Sequence, residues 1–89
     1  MSITHQADPV KRARLRWRSR RGLLENDLIL TRFLDRYENV LSDEEVDAFS
    51  MLMDLSDTDL LNVLLARSEP EGEADQPHVR ALLEKIRAV

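Results

Sequence analysis

The 89-residue sequence contains no cysteine, so it can form neither a disulfide framework nor a thiolate zinc site. Its longest apolar run, Val63 to Ala66, is four residues long. Such a run is too short for a membrane-spanning helix or for the apolar region of a secretory signal peptide. Aromatic residues make up 4% of the chain, with two glycines and three prolines. This composition disfavours β-sheet and favours helices built from Leu, Ala, Glu and Arg.

The net charge of −4 hides an uneven distribution of charged residues. Residues 1–21 carry seven basic side chains and one acidic side chain, whereas residues 22–89 carry six basic and sixteen acidic ones. The basic end should attract nucleic acid, anionic lipid or an acidic protein patch, and salt should weaken that attraction. The pI of about 5.1 and the absence of any nucleic-acid-binding motif favour an acidic protein, so no nucleic-acid partner is expected.

The length and the periodicity predict one all-α domain over residues 1–89, a small five-helix bundle. Residues 1–8 should form a flexible tail and residues 9–67 a four-helix core. An acidic loop follows at residues 68–76, and a C-terminal helix at 77–89 completes the domain. The loops are short, so neighbouring helices should pack as antiparallel or crossed pairs.

The first helix has an ambiguous pattern. Asp8 and Pro9 suit a helix start, but the arginines from Arg12 to Arg20 alternate with other residues, as in a half-buried strand. A helix is preferred because no other segment offers a pairing strand and because the apolar residues fall at spacings of three, four and seven. These residues are Val10, Ala13, Trp17 and Leu24. Trp17 is therefore expected in the core.

The remaining helices have clearer signals. The second should run from about Leu23 to Glu38, with Leu24, Leu28 and Ile29 widening its apolar stripe near the start. Ser42 and Glu45 form a capping box that starts the third helix. The inward residues of these two helices should be Leu30, Phe33, Leu34, Tyr37, Leu41, Val46, Phe49, Leu52 and Met53.

Two further helices complete the pattern. Ser56 should cap a fourth helix that ends at about Arg67. Asp75 and Pro77 should start the last helix. The apolar residues of this last helix, at spacings typical of a buried face, are Val79, Leu82, Leu83 and Ile86.

Candidate catalytic and metal-binding residues are few. His5 and His78 are far apart in sequence and are interpreted as solvated surface histidines. Asp57 and Asp59 could pose as a metal pair, but a helix cap with a first-turn acid explains them better. No phosphate-binding glycine loop or dinucleotide motif is present. The chain is therefore not expected to be an enzyme or to hold a metal or cofactor.

The most informative stretch runs from Trp17 to Asp27, where a basic run meets a glycine and then turns acidic. The candidate partner-binding residues are Arg18, Arg20, Arg21, Gly22, Glu25 and Asp27. Gly22 could simply end a helix, with Arg21 and Glu25 forming a surface ion pair. Alternatively, the bare backbone of Gly22 lets a partner approach between Arg21 and Glu25. The residues alone favour neither of these two interpretations over the other.

The sequence Arg21-Gly22-Leu23-Leu24-Glu25 resembles the Arg-Gly-x-x-Glu motif of the small FAD assembly factors of succinate dehydrogenase, the SdhE-type flavinators. The resemblance covers residues 14–67 closely and the last helix by position. It is supported by residues in the family's order and approximate spacing, namely Trp17, Asp27, Phe33, Tyr37, Leu41 to Glu45, Phe49 and Asp57 to Leu61. Val63 departs from the family, which usually has Trp there, and this puts the local core in doubt.

The resemblance implies that the chain binds the flavoprotein subunit of succinate dehydrogenase, with fumarate reductase as a second candidate, and promotes covalent attachment of FAD to a histidine of that subunit. It implies that Gly22 permits close approach and that Arg20 and Arg21 engage acidic or carbonyl groups. Glu25 would bond near the flavin-linking site, and Asp27 would support the corner. We expect a cytoplasmic monomer without a membrane span. The first alternative is an antitoxin-like or adaptor protein that binds a cytoskeletal or membrane partner, and a less favoured one is a nucleic-acid-binding module.

Overall fold

The computed structural model describes residues 7–19 and 23–89, and over these ranges it contains helices and turns but no β-strand. The α-helices of the described residues are α1 (Pro9–Arg18), α2 (Leu24–Tyr37), α3 (Asp43–Met53), α4 (Asp57–Leu64) and α5 (Pro77–Arg87). The predicted all-α bundle of five helices is confirmed. Within the described ranges, no helix combines the length and the apolar character needed to cross a membrane. Of the predicted flexible tail, only Ala7 and Asp8 are described.

One apolar core joins α2, α3, α4 and α5. Helix α3 packs along α5, and α4 contacts both α2 and α5. The rings of Phe33 and Phe49 stack at the centre with centroids 6.4 Å apart, and Tyr37 lies 5.2 Å from Phe33. The inward residues predicted for α2, α3 and α5 are buried or packed against this core. Of the three residues predicted to widen the α2 stripe, Ile29 packs against the core, whereas Leu24 and Leu28 are exposed, so the prediction is wrong for these two.

Side-chain caps fix the starts of three helices. The Asp8 carboxylate accepts the backbone N–H of Val10 at 2.9 Å and that of Lys11, and these two bonds lower the pKa of Asp8. Ser42 accepts the Glu45 N–H at 3.1 Å while the Glu45 carboxylate accepts the Ser42 N–H at 3.0 Å, which confirms the capping box. The Ser56 hydroxyl caps α4 by accepting the N–H of Asp59.

Helix α4 ends earlier than predicted, at Leu64 rather than Arg67. The chain leaves the helix through Ala66, whose φ of 59° is left-handed. The Arg67 N–H then bonds the Asn62 carbonyl at 2.8 Å, and the Ala66 N–H bonds that of Val63 at 3.2 Å. This pair of bonds is a Schellman motif. The sequence carries no glycine at this turn, so the usual stop signal was missing.

Val63 occupies the position where the resembled family usually has Trp. The side chain is 4% exposed and belongs to the apolar core, so the smaller residue is accommodated. The Val63 carbonyl also accepts two hydrogen bonds from Arg87 of α5, at 3.0 Å from Nε and 2.6 Å from Nη2. A guanidinium at the carbonyl end of a helix is favourable because that end is partially negative.

Residues 68–76 are more ordered than a composition-based loop suggests. They contain a short 3-10 helix at Gly72–Ala74, and both Pro70 and Ala74 are buried. Helix α5 begins at Pro77, as predicted, but Gln76 rather than Asp75 is the residue at its N-cap position. The Asp75 carboxylate instead accepts a bond from Arg80 at 2.7 Å. This bond raises the pKa of Arg80.

The inward face predicted for α1 is also wrong. Val10 and Ala13 are exposed and Trp17 is 73% exposed, whereas Leu15 is buried and joins the core. Val10 and Trp17 are seven residues apart and share one side of the helix. Leu15 is five residues after Val10 and two before Trp17, spacings that place it on the opposite side. The apolar residues at helical spacing in α1 therefore face solvent rather than the core.

His78 is not a freely solvated histidine as predicted. Its side chain is only 19% exposed, and Nε2 lies 2.8 Å from the Asp47 carboxylate, which links α5 to α3. Periodicity within one helix could not reveal this contact, since the two residues are 31 apart in the chain. His5 lies outside the described residues.

Candidate partner-binding site

The predicted site lies between α1 and α2, and its centre falls outside the described residues. Arg20, Arg21 and Gly22 are in that undescribed segment, so their predicted roles stay predictions. The structure does place the residues on both flanks, Arg18 at the end of α1 and Glu25 at the start of α2. The structure therefore defines the two flanks of the site, the end of α1 and the start of α2.

The start of α2 presents carboxylates at the positive end of a helix. The N-cap residue Leu23 has no side-chain cap, and Glu25 and Asp27 lie in the first turn. Negative charge there is stabilised by the helix dipole. Glu25 is exposed and, within the described ranges, has no ion pair. Asp27 is half-buried and its backbone N–H bonds the Leu23 carbonyl at 3.1 Å. Glu25 thus projects from an ordered helical turn.

Between these two acids lies Asn26, which the sequence analysis missed. Its side chain is fully buried, and Nδ2 donates to the Asp57 carbonyl at the start of α4, 3.0 Å away. Its Oδ1 has no hydrogen-bond partner among the described residues. The signal was available, because position 26 lies four residues before Leu30 and seven before Phe33, on the buried face of α2. A polar residue there must find a partner inside the fold.

The other flank is fixed at nearly the same place. Arg18, a predicted site residue, has its Nη2 3.2 Å from the Asp54 carboxylate, just after the end of α3. Asp54 directly follows α3 and Asp57 is the first residue of α4, so the two residues lie at the two ends of the short α3–α4 connection. The structure therefore brings the end of α1 and the start of α2 to the two ends of one connection.

Arg16 attaches α1 to the body of the protein. Its guanidinium reaches Glu38 at 2.5 Å and Asp35 at 3.0 Å, both toward the end of α2. The bond to Glu38, with that to Asp35, raises the pKa of Arg16. Arg16 and Arg18 thus form ion pairs within the molecule, although both lie in the basic N-terminal part of the chain that was expected to attract a partner.

This arrangement is suited to recognition. The ordered part of the site supplies one exposed carboxylate, Glu25, on a firmly held helical turn, and a cation, Arg18, that already has a carboxylate partner. An exposed carboxylate can accept hydrogen bonds from a partner's backbone or basic side chains. The hydrogen bond from the buried Asn26 side chain to the Asp57 carbonyl holds this turn against α4.

Comparison with known proteins places the chain among assembly factors. Residues 13–88 match the family model described as flavinator of succinate dehydrogenase. The chain belongs to this family. It is 58% identical over 88 residues to the FAD assembly factor SdhE of Ralstonia nicotianae, covering 99% of the chain and 93% of that protein.

More distant flavinators match over differing lengths. The FAD assembly factor SdhE of Pseudomonas aeruginosa is 34% identical, over 90% of the chain and 95% of that protein. The mitochondrial succinate dehydrogenase assembly factor 2 of Debaryomyces hansenii is 48% identical over 58 residues, 64% of the chain but only 41% of that protein. No solved structure matches the chain.

Proposed function

We propose that this flavinator binds the flavoprotein subunit of succinate dehydrogenase and promotes covalent attachment of FAD to that subunit. The observation that carries the proposal is the exposed Glu25 on a helical turn that Asn26 ties to α4. Arg18 fixes the preceding flank to the same α3–α4 connection. The motif residues Arg20, Arg21 and Gly22 lie between these two anchors in the sequence, and their part in the proposal rests on the sequence alone.

Anchoring matters because a preorganised surface loses less conformational entropy on binding. The bond from Asn26 to the Asp57 carbonyl limits rotation of the first turn of α2 against α4. The helical turn that carries Glu25 therefore meets the partner in one orientation. We propose that Glu25 accepts hydrogen bonds near the flavin-linking site, that Arg20 and Arg21 engage acidic or carbonyl groups, and that Gly22 lets the partner's backbone come close.

The flavin chemistry belongs to FAD and to the partner subunit in this proposal. The assembly factor contributes by binding one conformation of the flavoprotein more tightly than the others. That conformation would hold the partner's histidine and the flavin in the geometry for bond formation, which is catalysis by orientation. The flavinator would hold no FAD by itself. Fumarate reductase is a second candidate partner, and we propose a one-to-one complex formed by a monomer.

The test is covalent flavin on the partner, measured by in-gel flavin fluorescence. Cells lacking the chain are complemented with wild type, Glu25→Ala or Gly22→Leu. Both variants should reduce covalent flavin on the flavoprotein subunit by about tenfold or more, the effect of losing one charged hydrogen bond or of blocking a close approach at an interface. Co-purification from the same cells identifies which flavoprotein is bound.

Glu44→Ala is a matched control, because Glu44 is also an exposed carboxylate in the first turn of a helix. It should leave flavin attachment unchanged. The thermal midpoint of the purified Glu25→Ala protein should stay within about 2 °C of wild type, since Glu25 is exposed. Normal covalent flavin with both Glu25→Ala and Gly22→Leu would show that the site assignment is wrong.

A further inference from the structure

Helix α1 presents an unusual outer face. Val10 is 59% exposed and Trp17 is 73% exposed, and Ala13 and Arg14 are exposed between them. These four residues, which we name the outer stripe of α1, share one side of the helix because they are spaced by three, four and seven. The only side chain of α1 in the core is Leu15, on the opposite side. The protein therefore exposes its single tryptophan within an apolar stripe.

The charges on α1 indicate what kind of surface fits the outer stripe. Residues 9–18 carry five basic side chains and no acidic one. Arg16 and Arg18 are ion-paired with carboxylates of the same molecule. Lys11 and Arg14 are exposed, and neither takes part in an ion pair within the described ranges. The outer stripe thus combines apolar area with positive charge, which complements an apolar patch bordered by carboxylates.

The position of the outer stripe relates it to the candidate site. Trp17 precedes the first motif residue, Arg21, by four positions. The Arg18–Asp54 pair places the end of α1 beside the α3–α4 connection, and Asn26 ties the start of α2 to the first residue of α4. A partner that contacts Glu25 and the motif would therefore lie close to the end of α1. Tryptophan and arginine are the residue types that most often dominate the binding energy of protein interfaces.

We propose that the outer stripe of α1 is a second contact surface for the flavoprotein subunit, with Trp17 inserted into an apolar patch of that subunit bordered by carboxylates. The inference rests on the proposed function, because it assigns the same partner to a further surface. It explains why α1 is attached to the body through Leu15 and Arg16 with its tryptophan left outside.

The single tryptophan allows a site-specific test. The chain is labelled with 5-fluorotryptophan, so that Trp17 gives one fluorine NMR signal, and unlabelled flavoprotein subunit is added. In the free chain a water-soluble paramagnetic agent should broaden the signal, because the side chain is exposed. In the complex, the signal should shift and be protected from the agent. Complex formation is followed independently by size-exclusion chromatography.

Substitutions give the energetic side of the test. Trp17→Ser should weaken binding of the flavoprotein subunit by about thirtyfold, a typical loss at an interface tryptophan. Arg14→Glu should weaken binding and reduce its dependence on salt. Leu65→Ser changes another exposed apolar residue, 43% exposed at the end of α4, and should leave affinity within about twofold. None of the three should alter the thermal midpoint substantially.

The outcomes separate the inference from the function on which it rests. If the complex forms while Trp17 stays accessible and Trp17→Ser binds normally, the outer stripe is not a contact surface and the inference is wrong. If wild type fails to bind any flavoprotein subunit, the proposed function and the inference both fall. Protection of Trp17 by anionic phospholipid vesicles but not by the flavoprotein subunit would assign the outer stripe to a membrane and overturn the proposal.

Discussion

Replacing Arg16 with Met should release α1 from the body of the protein without unfolding the bundle. Methionine keeps most of the apolar length of the side chain and removes the guanidinium that bonds Glu38 and Asp35. Helix α1 has only ten residues and one buried side chain, Leu15. A helix of that length is not stable alone in water, so α1 should unfold whenever it detaches.

The magnitude follows from the contacts. Burying Leu15 contributes roughly 2 kcal/mol to docking of α1. The two bonds of Arg16 to Glu38 and the pair with Asp35 involve side chains that are 19% to 66% exposed, so solvent screening reduces their contribution. We assign them about 1–2 kcal/mol together. Losing that much should raise the equilibrium constant for local opening of α1 about five- to thirtyfold.

Amide hydrogen exchange measures this opening directly. Exchange of the α1 amides should accelerate by that factor in Arg16→Met, whereas the core amides of α3 and α5 should change little. Arg18→Met is the matched control, because Arg18 pairs with Asp54 alone and both side chains are largely exposed, at 44% and 77%. It should accelerate exchange less than threefold. Equal exchange in wild type and Arg16→Met would refute the reasoning that this network holds α1 in place.

Two further predictions concern the stability of the bundle. Ala66→Gly should raise the unfolding free energy by about 0.5–1 kcal/mol and the thermal midpoint by about 4 °C, because the left-handed φ of 59° strains alanine but not glycine; a lower midpoint would contradict this. Partial burial of Glu45 disfavours its charge, but the bonds from Lys85 and the Ser42 N–H outweigh burial and lower its pKa below 4.5. Its contribution of about 1 kcal/mol should therefore be complete above pH 4.5 and be lost as pH falls through the lower folded pKa. Urea unfolding of wild type and Glu45→Gln should differ at pH 7 and converge in acid, and a difference that persists in acid would contradict the assignment.

Much of the scaffold could be predicted from local sequence because the signals are local. Ser42 and Glu45 cap within one turn, and the buried faces of α2, α3 and α5 repeat at helical spacing. Such features depend on neighbours three or four residues away. The end of α4 was mispredicted, because its Schellman turn forms at Ala66 and the sequence has no glycine there to signal it.

The candidate site was only partly predictable. The motif from Arg21 to Glu25 was visible in the sequence, and its role in binding stays a prediction. The role of Asn26 depends on the Asp57 carbonyl, 31 residues away. Since a hydrogen-bond partner at that distance is set by how α2 and α4 pack, composition and spacing gave no means of naming it.

By itself, the sequence determined that the chain forms helices, where most of them begin, and which sides of α2, α3 and α5 are buried. Tertiary structure decided the orientation of α1, with Leu15 inside and Trp17 outside. The physical reason is that α1 has apolar residues on more than one side, so its own periodicity does not select a buried face. The choice is made by distant partners, the core that receives Leu15 and the carboxylates of Asp35 and Glu38 that bind Arg16.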